Sequence, residues 1–532
     1  MTTTPSPGTP TTGTPSTGIA TAGPQRGLRL RADDTVALAT NPLVAGTDVL
    51  AGDALVRLRD DVPAGHKVAL VDVPEGGEVR KYGQVIGVAT RAIAAGDHVH
   101  THNLGFADFE RDYAFGADLR DHRAVPDGGQ RTFDGIVRAD GRVATRNYIG
   151  ILTSVNCSAT VARMVAGQFA EGSELLAGYP NVDGVVALTH GSGCGMAGAG
   201  EGFDLLRRTL SGYARHPNFA GLLVIGLGCE VNQVRSLTEG FELPGSTPLV
   251  TMTIQEMGGT RATVREALAR TRDLAEEATK VERSPVPVSE LILGLECGGS
   301  DGYSGITANP ALGAAADLLV QHGGTSVLGE TPEIYGAEHL LTRRAVSRDV
   351  GERLVERIHW WESYVKSCGA SLDNNPSPGN KEGGLTTILE KSLGAVAKGG
   401  SSNLSAVYEY AEQITEKGFV FMDTPGYDPV SVTGMVAGGA NVVCFTTGRG
   451  SVFGSKPAPC IKLCTNSETY SRMSEDMDIN CGVIVDGTAT VEQTGREIFE
   501  LVVAVASGQP SKSEDLGFGD EEFTPWQLGA VL

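Results

Sequence analysis

The 532-residue chain has no apolar run near the roughly 18 residues of a membrane span, so no segment of it reads as bilayer-crossing. It also has no basic excess: 43 Lys and Arg stand against 64 Asp and Glu, for a formal net charge of −21. Nucleic acids and anionic membranes require a concentrated basic face, and both are excluded as partners on that ground. An anionic substrate would need local positive charge or a metal to overcome this background. Nine cysteines with no CxxC pair do not make a disulfide framework; they fit a reduced, cytoplasmic compartment. Residues 1–27 begin with Thr, Pro, Gly and Ser and lack an apolar h-region, so they read as a disordered tail and not as a signal peptide.

What is present divides the chain. Residues 28–104 alternate short β-branched runs with turns such as Val62-Pro-Ala-Gly65 and Val73-Pro-Glu-Gly76, the pattern of a small all-β module. It ends in Asp97-His-Val-His-Thr-His-Asn103, where a period of two would put His98, His100 and His102 on one side of a strand. Residues 105–133 read as a linker. Residues 134–283 alternate strand and helix, with strands expected near 148–155, 184–189, 222–227 and 248–253. Ser284-Pro-Val-Pro287 marks a boundary, and 288–532 repeats the habit of a strand followed by a polar turn. Two α/β units with largely parallel sheets are expected after the β module.

Cysteines recur after apolar runs at Cys157, Cys194, Cys229 and Cys297. Ligands of parallel sheets bind beyond the strand ends, so these positions mark an edge to inspect. A free cysteine is also an ordinary buried residue, and scattered cysteines lack the compact spacing of common ferredoxin clusters. His190 stands at an expected strand end, four residues before Cys194. Gly298-Gly-Ser300-Asp-Gly302 matches GxSxG without the helix a nucleophile elbow needs, and Gly193–Gly198 matches GxGxxG without a well-placed acid. Thr446-Thr-Gly-Arg449-Gly-Ser451 joins freed backbone N–H groups to a guanidinium, a fit for a carboxylate or phosphate. Lys391 and Lys462 either assist it or are surface charges, and Pro376–Gly384 reads as a lid, binding loop or linker. His359-Trp-Trp361 reads as core packing.

Gly226-Leu-Gly-Cys-Glu230, Glu296-Cys-Gly-Gly-Ser-Asp301, Ser304-Gly-Ile-Thr-Ala-Asn-Pro310, Pro376-Ser-Pro-Gly-Asn380, Lys391-Ser-Leu-Gly394 and Phe445-Thr-Thr-Gly-Arg-Gly450 resemble the altronate/galactarate dehydratase family of sugar-acid hydro-lyases. The resemblance runs from about residue 28 to the C-terminus. Gly65-His-Lys-Val-Ala69, Lys81-Tyr-Gly83 and the histidine string look like the family's SAF-type β-clip module, and the string resembles its altronate branch. The fold implied is an SAF-like domain followed by two Rossmann-like α/β domains.

The resemblance implies loss of water from an altronate-like aldonate to a 2-keto-3-deoxy acid, with an aldarate such as galactarate, or a sulfolactate-type elimination, as alternatives. It implies a divalent metal, Fe2+ favoured over Mn2+, and a mononuclear ion favoured over an iron–sulfur cluster. The metal candidates are His100 and His102, with His190 and Cys194. Lys391, Glu230 and Asp301 are the catalytic candidates, Lys391 or Glu230 as base; Arg449 and Thr447 are placed for the carboxylate, and Ser300, Asp301, Asn309 and Asn380 for the rest of the acid. A homo-oligomer, a dimer, is expected. The competing readings are a hydro-lyase with a cluster on Cys157, Cys194, Cys229 or Cys297, and a carbohydrate-binding protein without activity.

Overall fold

Tyr148–Thr153 and Val442–Thr447 show no apolar/polar alternation, and every residue of both strands is buried. Strands covered on both faces belong to parallel sheets with crossover helices above and below. The computed structural model describes residues 25–531 apart from 108, 110, 122–123 and 126–128, and contains two such sheets. Residues 1–24 of the expected tail lie outside the described residues. The first sheet runs Gly184–Leu188, Tyr148–Thr153, Phe219–Gly226, Leu249–Thr253, all parallel. Between its strands lie the helices Ala159–Ala166 and Glu201–Arg215, and Thr260–Ala278 follows the last strand.

The second sheet is also wholly parallel and runs Leu404–Tyr408, Gly418–Met422, Thr325–Leu328, Ile292–Cys297, Val442–Thr447, Cys460–Cys464, Ile479–Asn480. After Ile292–Cys297 the chain winds to one side through Thr325–Leu328, and later restarts on the other side with Val442–Thr447. The winding direction therefore reverses between these two strands, and the crevice for a ligand lies beyond their carboxyl ends. The residues there are Gly298–Gly302 and Gly448–Ser451. Among the described residues no helix is long and apolar enough to cross a membrane.

Residues 25–105 fold into nine short strands in a six-stranded and a three-stranded sheet. This module docks on the third unit: Val36, Val79 and Ile86 share one buried cluster with Leu295, Leu312 and Leu393. The seam also buries charge. Lys67 and Lys81 each donate to Glu390, at 2.8 and 2.9 Å, and Lys67 also donates to the Gly384 carbonyl at 2.6 Å. Lys67 and Glu390 are wholly inaccessible to solvent. Burial opposes the charge on Glu390, but the two ammonium groups outweigh it and hold the carboxyl far below its usual range. Burial lowers Lys67 to about 8. The middle and third units share a second cluster, with Leu206, Leu210 and Tyr213 against Met435, Val436 and Ala437.

Removing one partner of a buried ion pair leaves an unpaired buried charge, costing about 3–5 kcal/mol. Glu390→Ala should therefore cost stability on that scale, whereas Glu239→Ala, which removes an exposed partner of Arg235, should change it by less than about 0.5 kcal/mol. Calorimetric unfolding of the two variants beside the parent chain checks both.

Candidate active site

Two adjacent glycines organise the crevice. A Cβ on Gly298 would lie 2.2 Å from Asp428 Oδ2, and one on Gly299, whose φ is +64°, would lie 3.0 Å from Thr447 Oγ1 and 3.4 Å from Arg449 Cβ. Gly298 thus lets Asp428 close in from one side, while Gly299 lets the 447–449 turn close in from the other. The Gly299 carbonyl accepts the N–H groups of Gly448 and Arg449 at 3.0 and 2.9 Å. Arg449 is exposed over this turn, its guanidinium 3.4 Å from Glu382 Oε2.

Glu382 ends the short helix Pro378–Glu382, which Ser377 and Asn380 open with a capping box. Its carbonyl lies 3.1 Å from His66 Nε2. His66 Nδ1 in turn lies 3.0 Å from His98 Nε2, and the His66 and His100 rings are 4.8 Å apart. Ligand atoms of His66, His98 and His100 all fall within 4.8 Å of one another. Burial lowers His98 to about 4 and His100 to about 3, and lowers His66 as well, so the imidazoles are neutral at pH 7. His100 Nδ1 is buried with no hydrogen-bond partner. Three neutral imidazoles with an orphaned nitrogen are a donor set suited to Fe2+ or a similar ion.

Under the diglycine lies a buried ionic network. Lys398 Nζ is 2.8 Å from Cys297 Sγ and 2.7 Å from Glu330 Oε2, and Lys391 Nζ is 2.7 Å from both Glu333 Oε1 and Asn375 Oδ1. Burial opposes the charge on Lys398, but Cys297 and Glu330 outweigh it and hold the ammonium well above its usual range. Cys297, Glu330 and Glu333 could by distance hold a metal, yet ammonium groups already serve as their cations, Lys398 for Cys297 and Glu330 and Lys391 for Glu333. Glu330 has φ of +65°, a strained left-handed backbone for a side chain of its kind. Burial, together with Glu330 and Glu333, raises Asp428 to about 7.

The sequence-derived candidates are distributed unevenly over this geometry. Arg449 and Lys391 lie in or beneath the crevice, and His100 lies in the imidazole cluster. His102 is exposed, its ring 5.4 Å from that of His98 and outside the three-histidine set. His190 uses both nitrogens internally, Nε2 at 2.9 Å from the Thr153 carbonyl and Nδ1 accepting from the Ser192 N–H, and it stands in the middle unit with Cys194. Glu230 is there too, its carboxylate accepting from Ser154 Oγ and from the N–H groups of Leu227 and Gly228. Those donors outweigh burial and lower its pKa, leaving a weak base.

Asp301 is buried and accepts from Thr465, Asn466, Ser304 and the Tyr303 N–H, so it ties the loop together. Asn309 spans Gly394 and Thr446, Asn380 donates to the Ser300 carbonyl, and Thr447 Oγ1 accepts from Gly450; each braces the walls of the crevice. Lys391 and Lys462 are buried, contrary to a surface role. His359 is exposed, while Trp361 is buried and donates to Asp423 at 2.7 Å. His66, Asp428, Glu330, Glu333 and Lys398 were not singled out from sequence. His66 and Glu330 lie in strings read there as module and turn, and only tertiary contacts give them their place.

Models of the D-galactarate/altronate dehydratase family match the chain in three consecutive parts: the SAF domain over residues 25–107, the second domain over 135–279 and the C-terminal domain over 288–531. Galactarate dehydratase (L-threo-forming) of Escherichia coli is 38% identical, over 92% of this chain and 94% of its own. Altronate dehydratase of the same organism is 36% identical, over 95% and 99%. The beta subunit of (2R)-sulfolactate sulfo-lyase from Chromohalobacter salexigens is 34% identical, over 73% and 95%. The chain belongs to the galactarate/altronate dehydratase family of hydro-lyases.

Proposed function

We propose that the chain dehydrates a sugar acid with one carboxylate, an altronate-like aldonate, to a 2-keto-3-deoxy acid. The observation that carries this reading is the meeting of three imidazoles from the first module with the exposed guanidinium of Arg449, through Glu382, at the switch point of the third unit's sheet. Arg449 can pair a carboxylate bidentately, and the histidine string of the first module, which resembles the altronate branch, favours an aldonate over an aldarate. His66, His98 and His100 would hold a divalent ion, Fe2+ before Mn2+, and that ion would supply Lewis-acid stabilisation of charge developing on the substrate oxygens.

The chain's own groups divide the proton work. Asp428, poised near pH 7, is assigned as the base that takes the C2 proton. Lys391 is held above its ordinary pKa, Glu333 and Cys297 outweighing the effect of burial, so it is a poor base and is assigned instead as the proton donor to the departing C3 hydroxyl. The C2–H electrons form the C2–C3 double bond as water leaves, and the enol then tautomerises to the keto acid. Residues 298–302 and 447–451 orient the acid, with Arg449 on its carboxylate.

With Fe2+ or Mn2+ supplied, a panel of aldonates and aldarates should give a 2-keto-3-deoxy acid, fastest from an aldonate. Absence of turnover on every member would sink the reading; sulfite release from sulfolactate would redirect it to the chemistry named for the sulfo-lyase relative. Arg449→Gln should raise KM roughly 10- to 100-fold, the scale of a lost charged hydrogen bond.

Asp428 also yields a stability test. Its folded-state pKa lies above the unfolded value, so stability is lost as pH rises from about 4 through about 7. Asp428→Asn should abolish turnover and remove this slope, leaving the variant more stable than the parent at pH 8, on the order of 2–4 kcal/mol. Urea unfolding at pH 5 and pH 8 reads the difference.

A further inference from the structure

Four of the nine cysteines are exposed: Cys157, Cys194, Cys229 and Cys368. The other five are buried and behave as small core residues. Three of the exposed ones share one place. Cys157 follows Tyr148–Thr153, Cys194 follows Gly184–Leu188 and Cys229 follows Phe219–Gly226, and these are three neighbouring parallel strands of the middle unit. All three thiols therefore stand at one carboxyl edge. Neighbouring strands are about 4.8 Å apart, so the three loops rise within roughly 10 Å of one another.

The loops are also stapled together. The Asn156 N–H donates to the Ser192 carbonyl at 3.0 Å, and the Asn232 N–H donates to the Gly193 carbonyl at 3.1 Å. Asn232 Nδ2 donates to the Ser154 carbonyl at 3.2 Å, and Ser154 Oγ donates to Glu230 Oε1 at 2.6 Å. Each cysteine is next to a stapled residue: Cys157 to Asn156, Cys194 to Gly193, Cys229 to Glu230. The Glu230 carboxylate that accepts the Leu227 and Gly228 N–H groups thus shapes the loop carrying Cys229. Asn232 is 1% exposed, and its Oδ1 has no hydrogen-bond partner, an unmet polar atom among these loops.

Loops bonded to one another that present three solvent-facing thiols do not bury them for packing, and solvent-facing thiols are open to a ligand. Thiolates in such a set select soft metals. Among the described residues, the groups whose ligand atoms all fall within 4.8 Å, close enough for one ion, do not include this rim. A wider rim suits a sulfide-bridged cluster, whose own atoms fill the middle. Cys297, the fourth member of the sequence pattern, is buried beside Lys398 in another unit and takes no part.

We propose that Cys157, Cys194 and Cys229 form a binding site for an iron–sulfur cluster, separate from the histidine site. Three thiolates leave one iron of a four-iron cluster without a cysteine, open to an oxygen ligand. The edge faces the same side of the molecule as the crevice. Glu201–Arg215 and Asp428–Ala437 pack side by side, with Arg208 bonded to the Tyr410 carbonyl, Tyr410 to that of Val430, and Gly212 against Ala437, so the two helices run in the same direction.

The test is anaerobic reconstitution of the full chain with Fe2+ and sulfide, then desalting and analysis of iron, acid-labile sulfide and visible absorbance. The expected result is about four sulfides and four to five irons per chain, any fifth iron being held by the histidine site, with Cys157, Cys194 and Cys229 protected from alkylation and Cys368 still reactive. Serine at any one of the three should lower cluster content at least twofold, while Cys368→Ser leaves it unchanged. Iron retained without sulfide, no retained iron, or unprotected Cys157, Cys194 and Cys229 in the reconstituted chain would each overturn the proposal. The alkylation readout uses the unmutated chain and is independent of turnover, so it stands apart from failure of the dehydratase reading.

Discussion

Glu390 accepts two lysines from the first module while lying wholly inside the third unit's surface, and the candidate site depends on that contact. Lys67 follows His66 directly, so the pair that anchors the module also places the imidazole against the Glu382 carbonyl. The same lysine bonds the Gly384 carbonyl, which fixes the far side of the 378–384 segment. The imidazole cluster and Arg449 are thus brought together by one buried carboxylate, although they lie about 350 positions apart in the chain. A site assembled between domains is a common solution for a small polar ligand.

The network beneath the crevice obeys a charge balance. Glu296, Glu330, Glu333 and Asp428 face two ammonium groups, Lys391 and Lys398, so two negative charges remain if every carboxyl ionises. Protons settle part of the difference: burial and Glu330 hold Glu296 well above the carboxylate range, and burial holds Asp428 near neutrality. Glu330 stays ionised because Lys398 outweighs its burial. A carboxyl that gains or loses its proton near pH 7 at the lip of a crevice is therefore a consequence first of its burial and then of the ions under it.

The two parallel sheets were legible because strands covered on both faces are unbroken apolar runs, as in Leu222–Ile225 and Val442–Phe445. The crevice edge was legible for the same reason, since Gly298 and Gly448 directly follow the strands Ile292–Cys297 and Val442–Thr447. The roles of individual polar residues were less so. Asp301 and Glu230 have the residue type of an acid or base, but their hydrogen bonds make them braces. His190 looked like a ligand, but both of its nitrogens bond main-chain groups of its own unit, whereas Nδ1 of His66 meets only the Nε2 of another imidazole, His98. Lys391 was open to both a catalytic and a surface reading, because its partner Glu333 lies 58 positions away. His66 joins His98 and His100 across 32 residues of unrelated turns, a meeting that strand periodicity cannot express.

The most direct measurement is a crystal structure of the protein with Mn2+ and a slowly reacting aldonate, using anomalous scattering to place the metal. The account predicts an anomalous peak coordinated by His66, His98 and His100, and the acid's carboxylate on Arg449 beside Gly299. A metal bound elsewhere with the imidazole cluster empty, or an acid bound away from the 298–302 and 447–451 loops, would contradict it.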